Sequence, residues 1–251
     1  IDESQLNEKT YIYFVNYYGL FRDKIKYLID KYKYIIIDNT HDFFNKEHYN
    51  ADVIYNYRKY FGVPDGACIV SDSLKYNCNY SKGKSFDKVL EMLSRDETGK
   101  FFHYPTFLEA DKHFRNEDLK YMSNFTENYL HAIDYELILK KRLENYMQLC
   151  LALEKYNSLD LSNKELTYMY PLFVYDGNEL REYLKVNNIY SLKLWPNIDW
   201  NGANSNEILA ADNMVLIPID QRYSFDEMEY IIKCVNDYYS NKYTKQLFRG
   251  K

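Results

Sequence analysis

The sequence lacks most of the short motifs that identify a protein's chemistry. It has no CxxC pair, no HExxH or GxSxG motif, and neither a GxGxxG loop nor a P-loop. Glycine and proline are scarce, with 8 and 5 copies in 251 residues. These absences give no support to a metal centre, a serine hydrolase or a nucleotide held by a glycine-rich loop.

The sequence also has few cysteines and no long apolar run, and its acidic residues outnumber its basic ones. The four cysteines are far apart in the sequence, which predicts buried free thiols and a reducing, cytoplasmic setting. No apolar run approaches the roughly 18 residues that span a bilayer, so we expect no membrane segment. A net charge of −5 argues against nucleic acid as the main partner.

What the chain does have is apolar and aromatic material. Hydrophobic residues make up 46% of the sequence, enough for a sizeable core in one large domain or two smaller ones. The 29 tyrosines are spread along the whole chain. We interpret them as a general compositional bias, with an aromatic binding platform as the alternative.

The first third of the chain has an α/β pattern. Thr10 to Val15 is predicted as a strand, Phe21 to Lys33 as a helix, and Tyr34 to Ile37 as a strand covered on both faces. Together they form a βαβ unit. Further strands are predicted at Ala51 to Tyr55 and at Ala67 to Ser71.

The rest of the chain divides into an irregular, a helical and a second α/β part. Residues 75–120 are polar, and one continuous helix is predicted for 124–156, with Leu143 and Leu151 on its apolar face. Lys140-Lys141-Arg142 is interpreted as a solvated turn of that helix, with a phosphate contact as the alternative. The predicted domains are 1–122 as part of a large α/β domain, 123–156 as a connecting helix, and 157–251 as a small α/β domain.

The polar residues that follow the predicted strands are the candidates for chemistry. Ligands in open α/β sheets bind beyond the carboxyl ends of the strands, where Asn16 to Gly19 and Asp38 to His41 would share one edge. Lys59 follows the next strand. A carboxylate that keeps a pyridine nitrogen protonated and a lysine that forms a Schiff base are what pyridoxal phosphate requires. The alternative is that Asp38 only caps a turn and that Lys59 is one lysine among many.

Several motifs resemble those of one family. Lys59 is followed by Asp65-Gly66-Ala67, Asp38 opens Asp38-Asn39-Thr40-His41, and Tyr18-Gly19 follows the preceding strand. In their order and spacing they resemble the DegT-type aminotransferases, which are fold-type I pyridoxal phosphate enzymes. The similarity extends downstream through Ile133-Asp134-Tyr135, Arg142 to Tyr146, Leu194-Trp195-Pro196 and Ile217 to Tyr223.

The resemblance implies a fold and a role for each candidate residue. It implies an aspartate-aminotransferase-like large α/β domain, partial at its N-terminus, and a small C-terminal α/β domain. Lys59 would be catalytic, Asp38 would pair with the ring nitrogen, and His41 would lie against the ring or its 3-oxygen. Tyr18 and Asn56 would contribute to the pocket wall and the phosphate contacts. The alternative for His41 is a histidine that stabilises a turn.

The implied activity is a pyridoxal phosphate-dependent aminotransferase that acts on a keto-sugar nucleotide with an amino donor, in surface polysaccharide biosynthesis. A homodimer is implied as well. The chain departs from the family at Asn56, where a phosphate-binding serine is usual, and at Ala67, where a glycine is usual. Family members also carry a phosphate-binding helix N-terminus ahead of the point where this chain starts. The alternatives are a non-catalytic protein with this fold and the C-terminal part of a longer enzyme.

Overall fold

The structure is a computed structural model that describes residues 3–7, 9–45, 47–72, 74, 79–98, 118–161, 166–195 and 198–249. The chain forms two compact units. The first comprises residues 1–17 and 21–134, and the second comprises residues 135–251 together with 18–20. The predicted division at residues 122 and 156 stays a prediction, and the boundary between the compact units falls between Asp134 and Tyr135.

The first unit contains a four-stranded sheet in the order β1-β2-β3-β4. Its strands are β1 (Ile12–Val15), β2 (Ile35–Asp38), β3 (Asp52–Asn56) and β4 (Ala67–Val70). The first three are parallel and β4 is antiparallel to β3. The carboxyl ends of β1, β2 and β3 therefore lie at one edge of the sheet, as the sequence predicted.

Helix α1 (Arg22–Lys31) packs on one face of this sheet. Its Ile25 and Leu28 are buried with Ile35, Ile37 and Val53 in one apolar cluster. Each such side chain contributes about 1.5–3 kcal/mol by leaving water. Because side chains alternate between faces along a strand, Ile36 and Asp38 project from the other face, where they are only partly buried.

The first unit also contains two further α-helices, α2 (Phe86–Thr98) and α3 (Asn124–His131). The prediction that residues 75–120 are irregular is wrong for α2, which is a helix of 13 residues. Residues 99–117 and 75–78 of that segment lie outside the described residues. The Ser123 side chain caps α3 by accepting from Thr126 N over 3.2 Å.

The predicted continuous helix over 124–156 is wrong. The chain leaves α3 through short-range bonds, from Ala132 N to Tyr129 O and from Ile133 N to Leu130 O, and then begins α4 (Tyr135–Leu153). Asp134, a residue type favoured at the N-cap, directly precedes α4. The last predicted turn, Glu154–Tyr156, is a 3-10 helix.

The second unit packs helices against a three-stranded antiparallel sheet in the order β5-β7-β6. The strands are β5 (Tyr170–Phe173), β6 (Leu192–Lys193) and β7 (Met214–Ile217). The helices are α4, α5 (Gly177–Val186), α6 (Ser205–Asn213) and α7 (Phe225–Arg249). At the start of α7, Ser224 N donates a hydrogen bond to Glu227 Oε2 over 2.6 Å. Within the described ranges, no helix is long and apolar enough to cross a membrane.

The charge run on α4 differs from its prediction at Arg142. Lys140 is exposed, but the Arg142 side chain is buried, with 1% of its surface accessible. Arg142 Nε donates to Gln221 Oε1 over 3.0 Å, and Nη1 donates to Tyr168 O over 3.2 Å. The buried stripe of α4 is therefore one residue away from the predicted apolar face, and Leu143 and Leu151 are exposed.

Candidate active site

Asp38 ends strand β2, and its carboxylate is held at both oxygens. Its Oδ2 accepts a hydrogen bond from Tyr13 Oη over 2.5 Å, and its Oδ1 accepts one from Thr40 N over 2.8 Å. In the sheet, Asp38 is paired with Val15 on one side and with Ile54 on the other. The main chain thus fixes the position of the residue, and the two donors fix the orientation of its carboxylate.

The loop after Asp38 is anchored by a buried polar network around Asp42. Asp42 Oδ2 accepts from Asn16 Nδ2 and from Asn45 Nδ2, each over 3.0 Å. Asn16 also donates to Asn39 Oδ1 over 3.0 Å. All four side chains are buried. Since polar groups are buried at low cost only when they are hydrogen-bonded, this network holds the loop in one conformation.

Arg22, in the first turn of α1, completes the network. Its Nε donates to Asp42 Oδ2 over 2.8 Å and its Nη2 donates to Asp42 Oδ1 over 2.5 Å, which is a two-point contact with the carboxylate. Burial lowers the pKa of Arg22, but the hydrogen bonds and charge of Asp42 outweigh it, so the net pKa is raised.

His41 lies inside this anchored loop. Burial first and the charge of Lys59 second lower the pKa of His41 to about 4, while the charge of Asp38 opposes the change. The imidazole is therefore neutral at neutral pH. The Tyr17 ring lies beside it, with 6.2 Å between ring centroids.

Lys59 ends the 3-10 helix Tyr57–Lys59, which follows β3 directly. Asn56 begins this turn, and its Oδ1 accepts from Arg58 N over 2.9 Å. Partial burial first and the charge of Arg58 second lower the pKa of Lys59, while Asp38 raises it. The side chain keeps access to solvent. Both features suit an amine that must react with a small molecule.

The structure brings Asp38, His41 and Lys59 into one cluster. His41 interacts electrostatically with both Lys59 and Asp38, and Lys59 interacts with Asp38. A carboxylate, a neutral imidazole and an amine with a lowered pKa thus share the carboxyl edge of the parallel strands. Such a set can bind a polar heteroaromatic ring and transfer protons beside it.

Phe43 packs the loop of His41 against the turn of Lys59. The Phe43 ring has centroid distances of 5.0 Å to Phe61 and 5.5 Å to both Tyr57 and Tyr60. Phe44 contacts Tyr60 as well, at 5.5 Å. Aromatic pairs of this kind add about 0.5–1.5 kcal/mol each beyond the burial of their area. The two segments that carry the site are therefore fixed to each other.

The turn after Lys59 is anchored in the same unit. Asp65 Oδ1 accepts from both the backbone nitrogen and the hydroxyl of Ser123, each over 3.2 Å. Gly66 has φ of 106°, which favours glycine. Ala67 then begins β4, paired with Asn56. Asp65 therefore has a structural partner within the first unit.

The predicted roles of Tyr18 and Asn56 at the cofactor site stay predictions. Tyr18 is buried with φ of 58° and is grouped with the second unit, so its role at the cofactor pocket stays a prediction. Asn56 lies at the carboxyl end of β3 and uses its oxygen to cap the turn of Lys59, and its phosphate contact likewise stays a prediction.

Sequence reasoning missed Tyr13, Arg22 and Asp42. Tyr13 lies on β1, two residues before the residue that pairs with Asp38, and this relation appears only in the folded sheet. No comparable signal identified the Arg22–Asp42 pair, because its residues are 20 apart in the chain. Within the described ranges, no group of three or more His, Cys, Asp or Glu side chains is suited to a metal ion.

Comparisons with known proteins give structural neighbours only. No model of a protein family matches the sequence, and no curated protein does. Among solved structures, the chain is similar to the sugar aminotransferase CalS13 from Micromonospora echinospora, with a TM-score of 0.56 and 12% identity over 93% of this chain and 69% of that one.

Two further neighbours have the same fold. PseC from Helicobacter pylori, an aminotransferase involved in the biosynthesis of pseudoaminic acid, has a TM-score of 0.57 and 12% identity over 95% of this chain and 69% of that one. A DegT DnrJ EryC1 StrS aminotransferase from Brucella abortus has a TM-score of 0.55 and 12% identity over 89% of this chain and 63% of that one. The chain thus spans about two thirds of the length of its neighbours. It has the fold of the DegT-type sugar aminotransferases, which is the fold-type I, aspartate-aminotransferase-like α/β fold.

Proposed function

We propose that this chain is a pyridoxal phosphate-dependent aminotransferase, or part of one, that acts on a keto-sugar nucleotide. The observation that supports the proposal is the mutual interaction of Asp38, His41 and Lys59 at the carboxyl edge of the parallel strands. That edge is where α/β sheets bind their ligands. The fold shared with sugar aminotransferases supports the substrate class.

The side chains present fit the cofactor. When bound, pyridoxal phosphate supplies an aldehyde that exchanges amines and a pyridine ring that withdraws electrons. Lys59 offers the amine, with a pKa lowered toward the range in which it is a nucleophile. A carboxylate has about four acceptor positions, and Asp38 uses one on each oxygen, so capacity remains for a ring N–H.

Each residue of the cluster has a distinct role in this proposal. Asp38 holds the ring nitrogen in its protonated form by placing a negative charge beside it. Lys59 binds the cofactor and then carries a proton to and from the substrate carbon. His41 is neutral and offers a flat, partly buried surface to the ring without adding a second positive charge. Tyr18 and Asn56 complete the pocket and the phosphate contacts.

The wider setting follows from the neighbours and belongs to the same proposal. One solved structure of this fold, DesV of S. venezuelae, holds a ketimine intermediate, which supports chemistry between an amine and a ketone. An amino sugar made in this way would serve surface polysaccharide biosynthesis in the cytoplasm. We also propose a homodimer, as is usual for fold-type I enzymes.

Cofactor uptake tests this proposal. Adding pyridoxal phosphate to the purified chain should produce a new absorption band, and Lys59→Ala should abolish it. Lys24→Ala, which removes an exposed lysine from α1, is the matched control and should keep the band. If the band is absent, or equal in Lys59→Ala, the non-catalytic alternative with the same fold is favoured instead.

A further inference from the structure

We propose that Tyr13 is a positioning residue for Asp38, whose carboxylate it orients toward the ring nitrogen of the cofactor. This inference rests on the proposed function. The hydroxyl of Tyr13 donates to Asp38 Oδ2 over 2.5 Å, the short distance expected for a hydrogen bond to a charged acceptor.

The sheet register brings the two residues together. Val15 pairs with Asp38 across β1 and β2, and Tyr13 precedes Val15 by two residues. Residues two apart on a strand share a face, so Tyr13 and Asp38 project from the same face of the sheet. That face is opposite the one on which α1 packs. The contact is therefore built into two paired strands rather than into a loop.

The two donors to Asp38 act at different oxygens. Thr40 N holds Oδ1 over 2.8 Å, and Tyr13 holds Oδ2. Turning the carboxylate about its last bond would break both hydrogen bonds. Because a hydrogen bond weakens steeply away from its preferred angle, a fixed carboxylate presents its remaining acceptor positions in constant directions. A ring N–H gains most from such a partner.

Tyr13 is suited to this role rather than to core packing. Tyr13 is 54% exposed, and its neighbour Tyr11 is 57% exposed. The Tyr11 ring packs against the Tyr34 ring with 5.3 Å between centroids. Partial burial first and the hydrogen bond with Asp38 second raise the pKa of Tyr13 to about 12. The hydroxyl thus keeps its proton, and remains a donor, throughout the neutral range.

The first test compares two cofactors. We would measure the Kd of pyridoxal phosphate and of the analogue in which CH replaces the ring nitrogen, for the full chain and its variants. In Tyr13→Phe, the preference for pyridoxal phosphate over the analogue, expressed as the ratio of the two Kd values, should fall about fivefold, as expected for the loss of one hydrogen bond. Tyr11→Phe should keep the wild-type preference. Equal weakening of both ligands in Tyr13→Phe would overturn the inference.

The second test needs no cofactor. With a ¹³C label in the ring of Tyr13, its ionisation can be followed by NMR. In Asp38→Asn, the pKa of Tyr13 should fall from about 12. An unchanged pKa would show that the contact is absent and would overturn the inference. Failure of the wild-type chain to take up pyridoxal phosphate would remove the proposed function together with this inference, whereas uptake with an unchanged preference removes the inference alone.

Discussion

Arg22 and Asp42 form a two-point ion pair beneath the site, with Arg22 Nε 2.8 Å from Asp42 Oδ2 and Nη2 2.5 Å from Oδ1. The pair joins the first turn of α1 to the loop that carries His41. It therefore links the helix that covers the sheet to the segment that supplies the imidazole.

Breaking this pair should destabilise the first unit strongly. Asp42→Asn removes the negative charge that two nitrogens of Arg22 contact, in a place where the arginine side chain is only 15% exposed. We expect a loss of about 3 kcal/mol in the free energy of unfolding. Urea unfolding followed by circular dichroism measures it. Lys26→Ala, which breaks an exposed ion pair with Glu47, is the control and should cost far less. Equal effects would contradict the account.

His41 should make stability depend on pH in the acid range. Its pKa is about 4 in the folded chain, below the ordinary value of 6.5. Between these values the unfolded state binds a proton that the folded state does not, so stability is full above pH 6.5 and is lost as the pH falls toward 4. The free energy of unfolding should fall by up to about 3 kcal/mol over this pH range because of His41. NMR titration of the His41 ring measures its pKa in the folded chain. Unfolding curves of His41→Gln should lack this pH dependence of stability.

Lys59 should react faster than an ordinary lysine at moderately alkaline pH. Its lowered pKa leaves a larger share of the amine unprotonated. Brief labelling with acetic anhydride, followed by mass spectrometry, measures the relative rate at each lysine. Arg58→Ala removes a cause of the lowered pKa and should slow the labelling of Lys59. Asp38→Asn removes an opposing charge and should speed it. The same direction of change in both variants would contradict this electrostatic account.

Gly66→Ala should destabilise the turn that follows Lys59. An added Cβ at Gly66 would lie 3.0 Å from Thr126 Cγ2, and the backbone has φ of 106°. We expect a cost of about 1–3 kcal/mol in the free energy of unfolding. Gly62→Ala is the matched control, because its Cβ would meet only Met92 Cε at 3.8 Å. A tolerated Gly66→Ala would show that the turn can relax.

The sequence predicted the parts of the fold that depend on local pattern. The apolar run before Asp38 predicted a buried parallel strand, and the structure has β2 there. Ala67 to Ser71 was predicted as a strand, and the structure has β4 at Ala67–Val70. Asn16 to Gly19 and Asp38 to His41 were predicted to share one edge because parallel strands end together. Lys59, which follows the next strand, interacts electrostatically with Asp38 and His41.

What the sequence did not predict depends on tertiary contacts. Arg142 was assigned to solvent because lysines precede it, but Gln221 and the carbonyl of Tyr168 allow it to be buried. Asn16 and Asp42 are of residue types that are common in loops, and only the folded chain shows that they are buried and hydrogen-bonded to each other. The contact of Tyr13 with Asp38 required the strand register, which no local pattern specifies.

The most direct test of the central claim is to locate the cofactor on the chain. Incubation with pyridoxal phosphate, reduction with borohydride and peptide mass spectrometry identify the lysine that binds it. Lys59 should carry the reduced cofactor as the main labelled lysine, and Asp38→Asn should lower the yield at that position. Label spread evenly over the exposed lysines, with Lys59 no more modified than Lys24, would contradict the claim that Asp38, His41 and Lys59 form a pyridoxal phosphate site.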